Sequence, residues 1–167
     1  MGHNQQRLIE MYREIHDKKL RFHGTSLKGR IDHIGQLITE TGSKTLLDYG
    51  CGGAIFYKRD RVHEKWGVSL TLYDPAVREY DKKPEGKFDF VVCTDVLEHV
   101  AHPEAVIKEL VGYADKCLYL AISTQHSAPE KRLADGTPFH ICVHPEAWWM
   151  ERIEPYKSQV RIETVFS

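Results

Sequence analysis

The sequence lacks features that would place it among membrane, secreted or strongly nucleic-acid-binding proteins. No apolar run in its 167 residues approaches membrane-spanning length, and no secretory hydrophobic segment follows Met1. Its 23 Lys and Arg nearly balance its 24 Asp and Glu, so the chain as a whole has no strong attraction for nucleic acid. We therefore expect a cytoplasmic protein with no membrane partner, and any nucleic-acid contact would be confined to a local patch.

Cysteine is also scarce, and its four positions form no closely spaced pair. Because the cysteines fall mostly in or beside predicted buried strands, we interpret them as reduced core thiols. His140, Cys142 and His144 alternate, so a strand would place three metal-ligating side chains on one face. A fourth ligand cannot be identified, and we expect no metal. The cysteines are Cys51, Cys93, Cys117 and Cys142.

The chain is organised around the stretch 44–54, Lys-Thr-Leu-Leu-Asp-Tyr-Gly-Cys-Gly-Gly-Ala. An apolar run reaches Asp48 and then gives way to glycines, which is typical of a buried parallel strand that delivers a ligand loop to its carboxyl edge. Without a Cβ atom, the backbone at Gly50 and Gly52 can turn at positive φ and approach a ligand closely. These residues therefore predict a ligand site at the end of the strand.

The acid before the glycines distinguishes two kinds of ligand. A dinucleotide fold requires G-x-G-x-x-G, and Ile55 stands where its third glycine would be. Asp48 suits a cationic amino acid better than a diphosphate, which indicates S-adenosylmethionine, whose ammonium and sulfonium groups are both positive. A nicotinamide-dependent oxidoreductase is the alternative.

Asp48-Tyr-Gly50-Cys-Gly52 resembles motif I (D/E-x-G-x-G) of the class I S-adenosylmethionine-dependent methyltransferases. The segment 68–75 resembles the second strand of that family, which closes with an acid, here Asp74. The segment 88–100, with Asp95-Val-Leu-Glu-His at its end, is similar to the family's fourth strand and the loop after it. Together with the segments 22–27 and 135–140 and the pair Trp148-Trp149, this order resembles a group of small bacterial and phage methyltransferases of mostly unassigned substrate.

This resemblance implies an α/β fold over residues 1–167 as a single domain. The expected architecture is Rossmann-like and doubly wound, with a mostly parallel sheet and helices on both faces. The interval from Asp74 to Phe88 is too short for a further strand, so the fold is abbreviated around the family's third strand. An N-terminal helical arm covers 1–30, and the polar segment 123–138 is long enough to be a lid loop.

The resemblance assigns the cofactor, S-adenosylmethionine, to residues at the carboxyl ends of the strands, with S-adenosylhomocysteine as product. The acid that closes the second strand would accept hydrogen bonds from the ribose hydroxyls. Ser26 either binds the carboxylate of the cofactor or caps the next helix. The acid that normally marks the adenine has no clear counterpart, Asp81 being nearest. The expected cofactor residues are Ser26, Asp48, Gly50, Cys51, Gly52, Asp74, Pro75 and Asp95.

Methyl transfer depends mostly on positioning, and a base is needed only when the acceptor must lose a proton. The candidates for that role are Asp95, His99 and His140. We expect His140 to lie beneath the lid loop, near Trp148 and Trp149, as acceptor-binding group or proton acceptor. A histidine hydrogen-bonded within a short strand is the alternative.

These observations favour a methyltransferase that acts on a small-molecule or sugar-like acceptor. A noncatalytic S-adenosylmethionine-binding protein and a nucleic-acid methyltransferase are alternatives. The second would use the basic residues between positions 7 and 30, but the Asn/Asp-Pro-Pro-Phe/Tyr motif used on exocyclic base amines is absent. We interpret the basic segment as a solvated helix face rather than as an arm over the cofactor pocket.

Overall fold

The computed structural model describes residues 4–18 and 22–167. Its centre is a sheet of five strands in the order β2-β1-β3-β4-β5, in which every neighbouring pair is parallel. The strands are β1 (Thr45–Tyr49), β2 (Ser69–Tyr73), β3 (Phe88–Thr94), β4 (Ala114–Ile122) and β5 (Arg161–Phe166). The helices are α1 (Gln5–Asp17), α2 (Ile31–Thr41), α3 (Ile55–Arg59), α4 (Val62–Lys65), α5 (Pro103–Tyr113) and α6 (Glu146–Ile153), and short 3₁₀ turns occupy Leu97–His99 and Glu154–Tyr156.

The strand order determines where a ligand can bind. The chain passes from β1 outward to β2 and then returns to β3 on the other side of β1, so the direction of winding reverses between β1 and β3. At such a reversal the connections leave in opposite directions and open a crevice beyond the carboxyl ends of the strands. The predicted ligand stretch after β1 therefore lies at the expected place in the sheet.

Two apolar layers cover the two faces of the sheet, as predicted. On one face, α5 and α6 pack against the strands through Ile107, Leu110 and Trp149, all of which are fully buried. On the other face, α2, α3 and α4 contribute a separate apolar cluster that includes Ile34 and Tyr57. The strands are apolar on both faces because parallel sheets of this type are covered on both sides.

A third apolar cluster joins α1 to the segment that follows β4. Leu8 of α1 packs against Leu133 and Phe139, and Arg7 forms a salt bridge of 3.0 Å with Asp135. We call α1 together with residues 123–140 the cap. The apolar side of α1 is covered by this contact, whereas the basic side chains of Arg7 and Lys18 are 65% and 64% exposed, as expected for a solvated face.

Several sequence-based boundaries were confirmed, and one predicted helix was wrong. The helix α2 ends at Gly42 with φ of 57°, and the described chain has no strand between Asp74 and Phe88. The helix expected over 55–66 is divided into α3 and α4, because Arg61 lies between them with φ of 49°, which a right-handed helix cannot continue through.

The expected strand over 139–143 does not form. The N–H groups of Ile141 and Cys142 both donate to the carbonyl of Glu98, at 2.9 and 3.0 Å, instead of to a neighbouring strand. The alternating face expected for His140, Cys142 and His144 is therefore not present. All four cysteines are free thiols and three are buried, in agreement with their predicted packing role. None of the helices within 4–18 and 22–167 is long and apolar enough to span a bilayer.

Candidate active site

A cavity of about 790 Å³ opens at the carboxyl ends of the strands, beneath the cap. Side chains from α1, from residues 22–30, which form the joint before α2, from the ends of β1 to β4 and from α5 line it. Most of the predicted site residues are among them. These are Ser26, Gly50, Gly52, Asp74, Pro75, Asp95, His99 and His140.

The glycine loop after β1 is shaped by close packing against other parts of the chain. Gly50 has φ of 82°, and a Cβ atom there would lie 2.3 Å from Cγ2 of Val96. Gly52 has φ of 52°, and its Cβ would lie 2.6 Å from the carbonyl oxygen of Phe22. Gly53 donates its N–H to the same carbonyl at 2.9 Å. Glycine is thus required here both for the backbone conformation and for contact with the joint that precedes α2.

Asp74, immediately after β2, connects this loop to the cavity. Its Oδ2 accepts a hydrogen bond of 2.9 Å from the N–H of Gly52, and its Oδ1 accepts one of 2.9 Å from the N–H of Ala76. Burial raises the pKa of the carboxyl, and the two backbone hydrogen bonds and His16 offset part of that rise. Since each carboxylate oxygen has two lone pairs, Asp74 can still accept hydrogen bonds from a ligand in the cavity.

Two of the predicted cofactor residues, Asp48 and Cys51, are absent from the described wall of the cavity. Asp48 is only 4% exposed and lies near Tyr57, and burial raises its pKa to about 7. Successive residues of a strand point to opposite faces, and it is Tyr49, next along β1, that lines the cavity. Asp48 is therefore buried beside Tyr57 and is not among the described residues that face the cavity.

The joint before α2 supplies a polar part of the wall. The hydroxyl groups of Ser26 and Thr94 are 2.6 Å apart, and Arg30 donates from Nη1 to the carbonyl of Ser26 at 2.6 Å. Arg30 also lies 3.8 Å from the Oδ1 atom of Asp95. Ser26 does not cap α2, because Arg30 occupies the N-cap position of that helix. The side chain of Ser26 is thus held at the end of β3 and lines the cavity.

The loop after β3 contributes a cluster of titratable side chains. Asp95 follows the strand with φ of 54°, and burial raises the pKa of its carboxyl, while the charges of Arg30 and His140 offset part of that rise. Glu98 is fully buried, accepts a hydrogen bond of 3.1 Å from the N–H of Ser123, and has its pKa raised to about 8 by burial. Burial lowers the pKa of His99 to about 3, so its imidazole is neutral.

His140 reaches this cluster from the cap. Its ring lies 4.8 Å from the ring of His99 in an edge-to-face arrangement, which brings two of the predicted catalytic residues together. The tryptophans expected beside it are elsewhere: Trp149 is buried in the core, and Trp148 stacks on His144 with ring centroids 3.7 Å apart. Trp149 lies on the side of α6 that packs in the core, and Trp148 is half-buried beside it.

Sequence reasoning missed the contribution of α1 to the site. Tyr12 and His16 line the cavity, and the hydroxyl oxygen of Tyr12 lies 2.9 Å from Nδ1 of His99. The apolar side of α1 was visible in the sequence, but nothing showed which surface it covers. Asp81, the nearest candidate for an adenine-binding acid, instead accepts a hydrogen bond of 3.2 Å from Arg13 and is not among the described cavity-lining residues.

Comparison with known proteins agrees with the fold. A family model described as a methyltransferase domain matches residues 8–160. Among curated proteins, the ubiquinone biosynthesis O-methyltransferase of Erwinia tasmaniensis is 28% identical over 99 residues, which cover 47% of this chain and 41% of that protein. The protein of the same name from Dechloromonas aromatica is 30% identical over 125 residues, which cover 62% of this chain and 53% of that protein.

The chain spans about half the length of the curated relatives it matches. The family model, by contrast, covers most of the chain, from α1 to the residue before β5. The five-stranded parallel sheet and the glycine loop at its point of reversal are those expected of the family. The chain therefore belongs to the methyltransferase domain family, within the class I S-adenosylmethionine-dependent methyltransferases.

Proposed function

We propose that this protein binds S-adenosylmethionine in the cavity beneath the cap and transfers its methyl group to a hydroxyl oxygen of a small-molecule or sugar-like acceptor. The observation that carries this proposal is the hydrogen bond of 2.9 Å between Asp74 and the N–H of Gly52. It joins the acid at the end of β2 to the glycine loop at the end of β1, and both line one cavity.

The residues present fit this cofactor. Asp74 is 9% exposed and lines the cavity, so the free lone pairs of its carboxylate can accept hydrogen bonds from ribose hydroxyls. Gly50 and Gly52 present backbone without side chains to the methionine portion, and Arg30 and Ser26 offer donors for its carboxylate. When bound, the cofactor supplies a methyl group on a positively charged sulfur that is already an activated leaving group.

The polar cluster of Asp95, Glu98, His99 and His140 supports an acceptor that must lose a proton. A hydroxyl oxygen is a weak nucleophile until its proton is removed, whereas the cofactor itself needs no acid catalysis. Burial raises the pKa of the Asp95 carboxyl, which makes this carboxylate a stronger base than an exposed aspartate and suits it to receive that proton. The relatives' printed name, O-methyltransferase, supports an oxygen acceptor.

The charge distribution gives less support to a nucleic-acid substrate. Three basic residues of the N-terminal segment, Arg7, Arg13 and Lys18, form salt bridges with acidic residues of the chain. Lys19 and Arg21, which the sequence also assigned to this basic segment, lie outside the described residues. A noncatalytic cofactor-binding protein would not need the polar cluster that faces the same cavity as Asp74.

A methyl-transfer assay with radiolabelled S-adenosylmethionine tests the proposed reaction. The acceptors are a panel of catechols, phenols and sugars, and duplex DNA and RNA serve as comparison substrates. We expect the radiolabel to be transferred to a hydroxylated small molecule and to be recovered with that product after separation. Transfer only to nucleic acid, with strong salt dependence, would contradict the proposed acceptor class.

A further inference from the structure

Glu98, His99 and His140 converge on one point of the cavity wall although two segments of the chain supply them. Glu98 and His99 belong to the 3₁₀ turn after β3, and His140 belongs to the cap. One potential ligand atom from each lies within 4.8 Å of those of the other two. The carbonyl of Glu98 accepts hydrogen bonds from Ile141 and Cys142, so the backbone that carries His140 is held against this turn.

The hydrogen bonds of Tyr12 determine which nitrogen of His99 is free. The hydroxyl of Tyr12 lies 3.0 Å from the carbonyl oxygen of Phe139 and 2.9 Å from Nδ1 of His99. A carbonyl oxygen only accepts, so the single Tyr12 proton is donated to Phe139 and the Tyr12 oxygen accepts from Nδ1. With the proton of His99 on Nδ1, Nε2 is the ring nitrogen that can offer a lone pair to a cation.

The same reasoning applies to His140. Its Nδ1 lies 2.6 Å from the carbonyl oxygen of Gln125, which can only accept, so Nδ1 carries a proton. With the proton on Nδ1, Nε2 is the ring nitrogen of His140 that can bind a cation. Histidines that bind metals characteristically donate their other ring N–H to a carbonyl, carboxylate or similar partner, which fixes both tautomer and ring orientation.

Glu98 supplies an independent indication of a ligand. Its side chain is fully buried and lines the cavity, and Oε1 accepts a hydrogen bond of 3.1 Å from Ser123. Oε2 is buried and has no hydrogen-bond partner within the described part of the chain. A buried carboxylate oxygen without a donor is costly unless a proton or a cation compensates it.

We propose that Glu98, His99 and His140 bind a divalent transition-metal ion through Oε2 and the two Nε2 atoms. Two imidazoles and one carboxylate are the donor set of several catalytic zinc sites and of non-haem iron sites, and both types keep coordination positions open for other ligands. Mg²⁺ is less suitable, because it prefers oxygen ligands and retains several waters. The ion we expect is Zn²⁺ or Mn²⁺.

This metal site deepens the proposed methyltransferase function and rests on it for its role in the reaction. An acceptor hydroxyl bound at an open position of the ion loses its proton more readily, because the ion stabilises the negative oxygen. Asp95, whose buried Oδ1 has no hydrogen-bond partner among the described residues, is placed to receive that proton. The oxygen lone pair then forms the new C–O bond, while the C–S bond breaks and its electron pair remains on sulfur.

Metal binding can be measured without cofactor or acceptor. The full chain, without an affinity tag, is stripped with a chelator and titrated calorimetrically with ZnCl₂, MnCl₂ and MgCl₂. We expect one Zn²⁺ or Mn²⁺ per chain and much weaker Mg²⁺ binding. The substitution His140→Ala should weaken binding by about a hundredfold or more, because loss of an outer partner alone costs up to about a hundredfold.

His126→Ala is the matched control, since His126 is exposed in the same loop. It should bind metal as the unsubstituted chain does. Absence of stoichiometric binding, or equal loss in both variants, would overturn the site. If circular dichroism shows that His140→Ala does not fold, the Co²⁺ spectrum of the unsubstituted chain decides. A visible band without thiolate charge transfer is expected, whereas thiolate charge transfer would show that a cysteine binds the ion and would overturn the proposed ligand set.

The metal and methyl-transfer proposals fail in distinguishable ways. Stoichiometric metal binding without methyl transfer to any acceptor would contradict the proposed function alone. Methyl transfer that continues at an unchanged rate after chelation would contradict the catalytic role of the ion alone. Loss of transfer on chelation, restored by Zn²⁺ or Mn²⁺, is the result that supports both.

Discussion

The carboxylate of Asp74 accepts a hydrogen bond of 2.9 Å from the backbone N–H of Gly52. This contact joins the ends of β2 and β1 across the mouth of the cavity, and it gives Asp74 two roles. The residue holds the glycine loop in place, and its remaining lone pairs face the position where ribose hydroxyls are expected. A substitution at Asp74 should therefore affect both cofactor affinity and the stability of the loop.

Replacing Asp74 tests these roles together. We predict that Asp74→Ala weakens S-adenosylmethionine binding by more than tenfold. It should also lower the free energy of unfolding by about 1–3 kcal/mol, because the N–H groups of Gly52 and Ala76 lose their acceptor. Calorimetry and urea denaturation measure the two effects. Asp81→Ala is the matched control, since Asp81 pairs with Arg13 outside the cavity, and equal affinities in the two variants would remove Asp74 from the cofactor site.

The glycine loop allows steric crowding to be separated from backbone strain. Gly50 and Gly86 have the same φ of 82°, but a Cβ atom at Gly50 would meet Val96 at 2.3 Å, whereas one at Gly86 would have no atom within 4 Å. We predict that Gly86→Ala costs about 1–2 kcal/mol, from backbone strain alone. Gly50→Ala should cost about 1–3 kcal/mol more, because it also overpacks the contact with Val96.

Urea denaturation of the two glycine variants measures this difference. Adding Val96→Ala to Gly50→Ala should recover much of the extra cost, because the clash is with the side chain of Val96. Equal destabilisation by Gly50→Ala and Gly86→Ala would show that close packing does not constrain the loop. S-adenosylmethionine affinity should fall only in the variant at position 50.

Much of the fold could be predicted from local patterns in the sequence. The strand before Asp48, the acid after β2 and the helix that ends at Gly42 depend on apolar runs and on residues adjacent in the chain. The missing strand between Asp74 and Phe88 followed from the length of that interval. These features need no knowledge of distant contacts, and the structure agrees with them.

The parts of the site that could not be predicted depend on contacts between distant segments. His140 meets Glu98 because two N–H groups after it donate to the Glu98 carbonyl, a choice of acceptor that local sequence does not reveal. Tyr12 enters the cavity because Leu8 packs against the cap. Asp48 points away from the cavity because of the orientation of β1, which motif I alone does not specify.

Tyr12 is expected to position His99 without touching the metal or the acceptor. We predict that Tyr12→Phe weakens Zn²⁺ binding about tenfold, since the N–H of His99 loses its partner. Binding of S-adenosylmethionine should change little. Tyr156→Phe is a suitable control because Tyr156 lies in a 3₁₀ turn and does not line the cavity. Unchanged Zn²⁺ affinity in Tyr12→Phe would contradict the tautomer assigned to His99.

Asp48 should make the stability of the protein depend on pH. Burial raises its pKa to about 7, whereas the pKa of an unfolded aspartate is about 3.9. Asp48 therefore binds a proton more tightly in the folded state than in the unfolded state. The stabilisation that this proton gives is complete below about pH 4 and is lost as the pH rises to about 7. We predict that the free energy of unfolding falls over this interval because of Asp48.

The substitution Asp48→Asn should reduce that fall by up to ~1.4 kcal/mol per pH unit, the limit for one proton. Urea denaturation at several pH values between 4 and 7 measures the slope. Asp115→Asn, at an exposed position on β4, is the control and should leave the slope unchanged. A slope in Asp48→Asn equal to that of the unsubstituted chain would show that Asp48 is ionised throughout.

Calorimetric titration of the full chain with S-adenosylmethionine, S-adenosylhomocysteine and NAD tests the central claim most directly. The cavity formed by Asp74 and the glycine loop predicts binding of the first two ligands with one site per chain and no binding of NAD. Binding of NAD without S-adenosylmethionine, or binding of none of the three, would contradict the assignment of this cavity as the cofactor site.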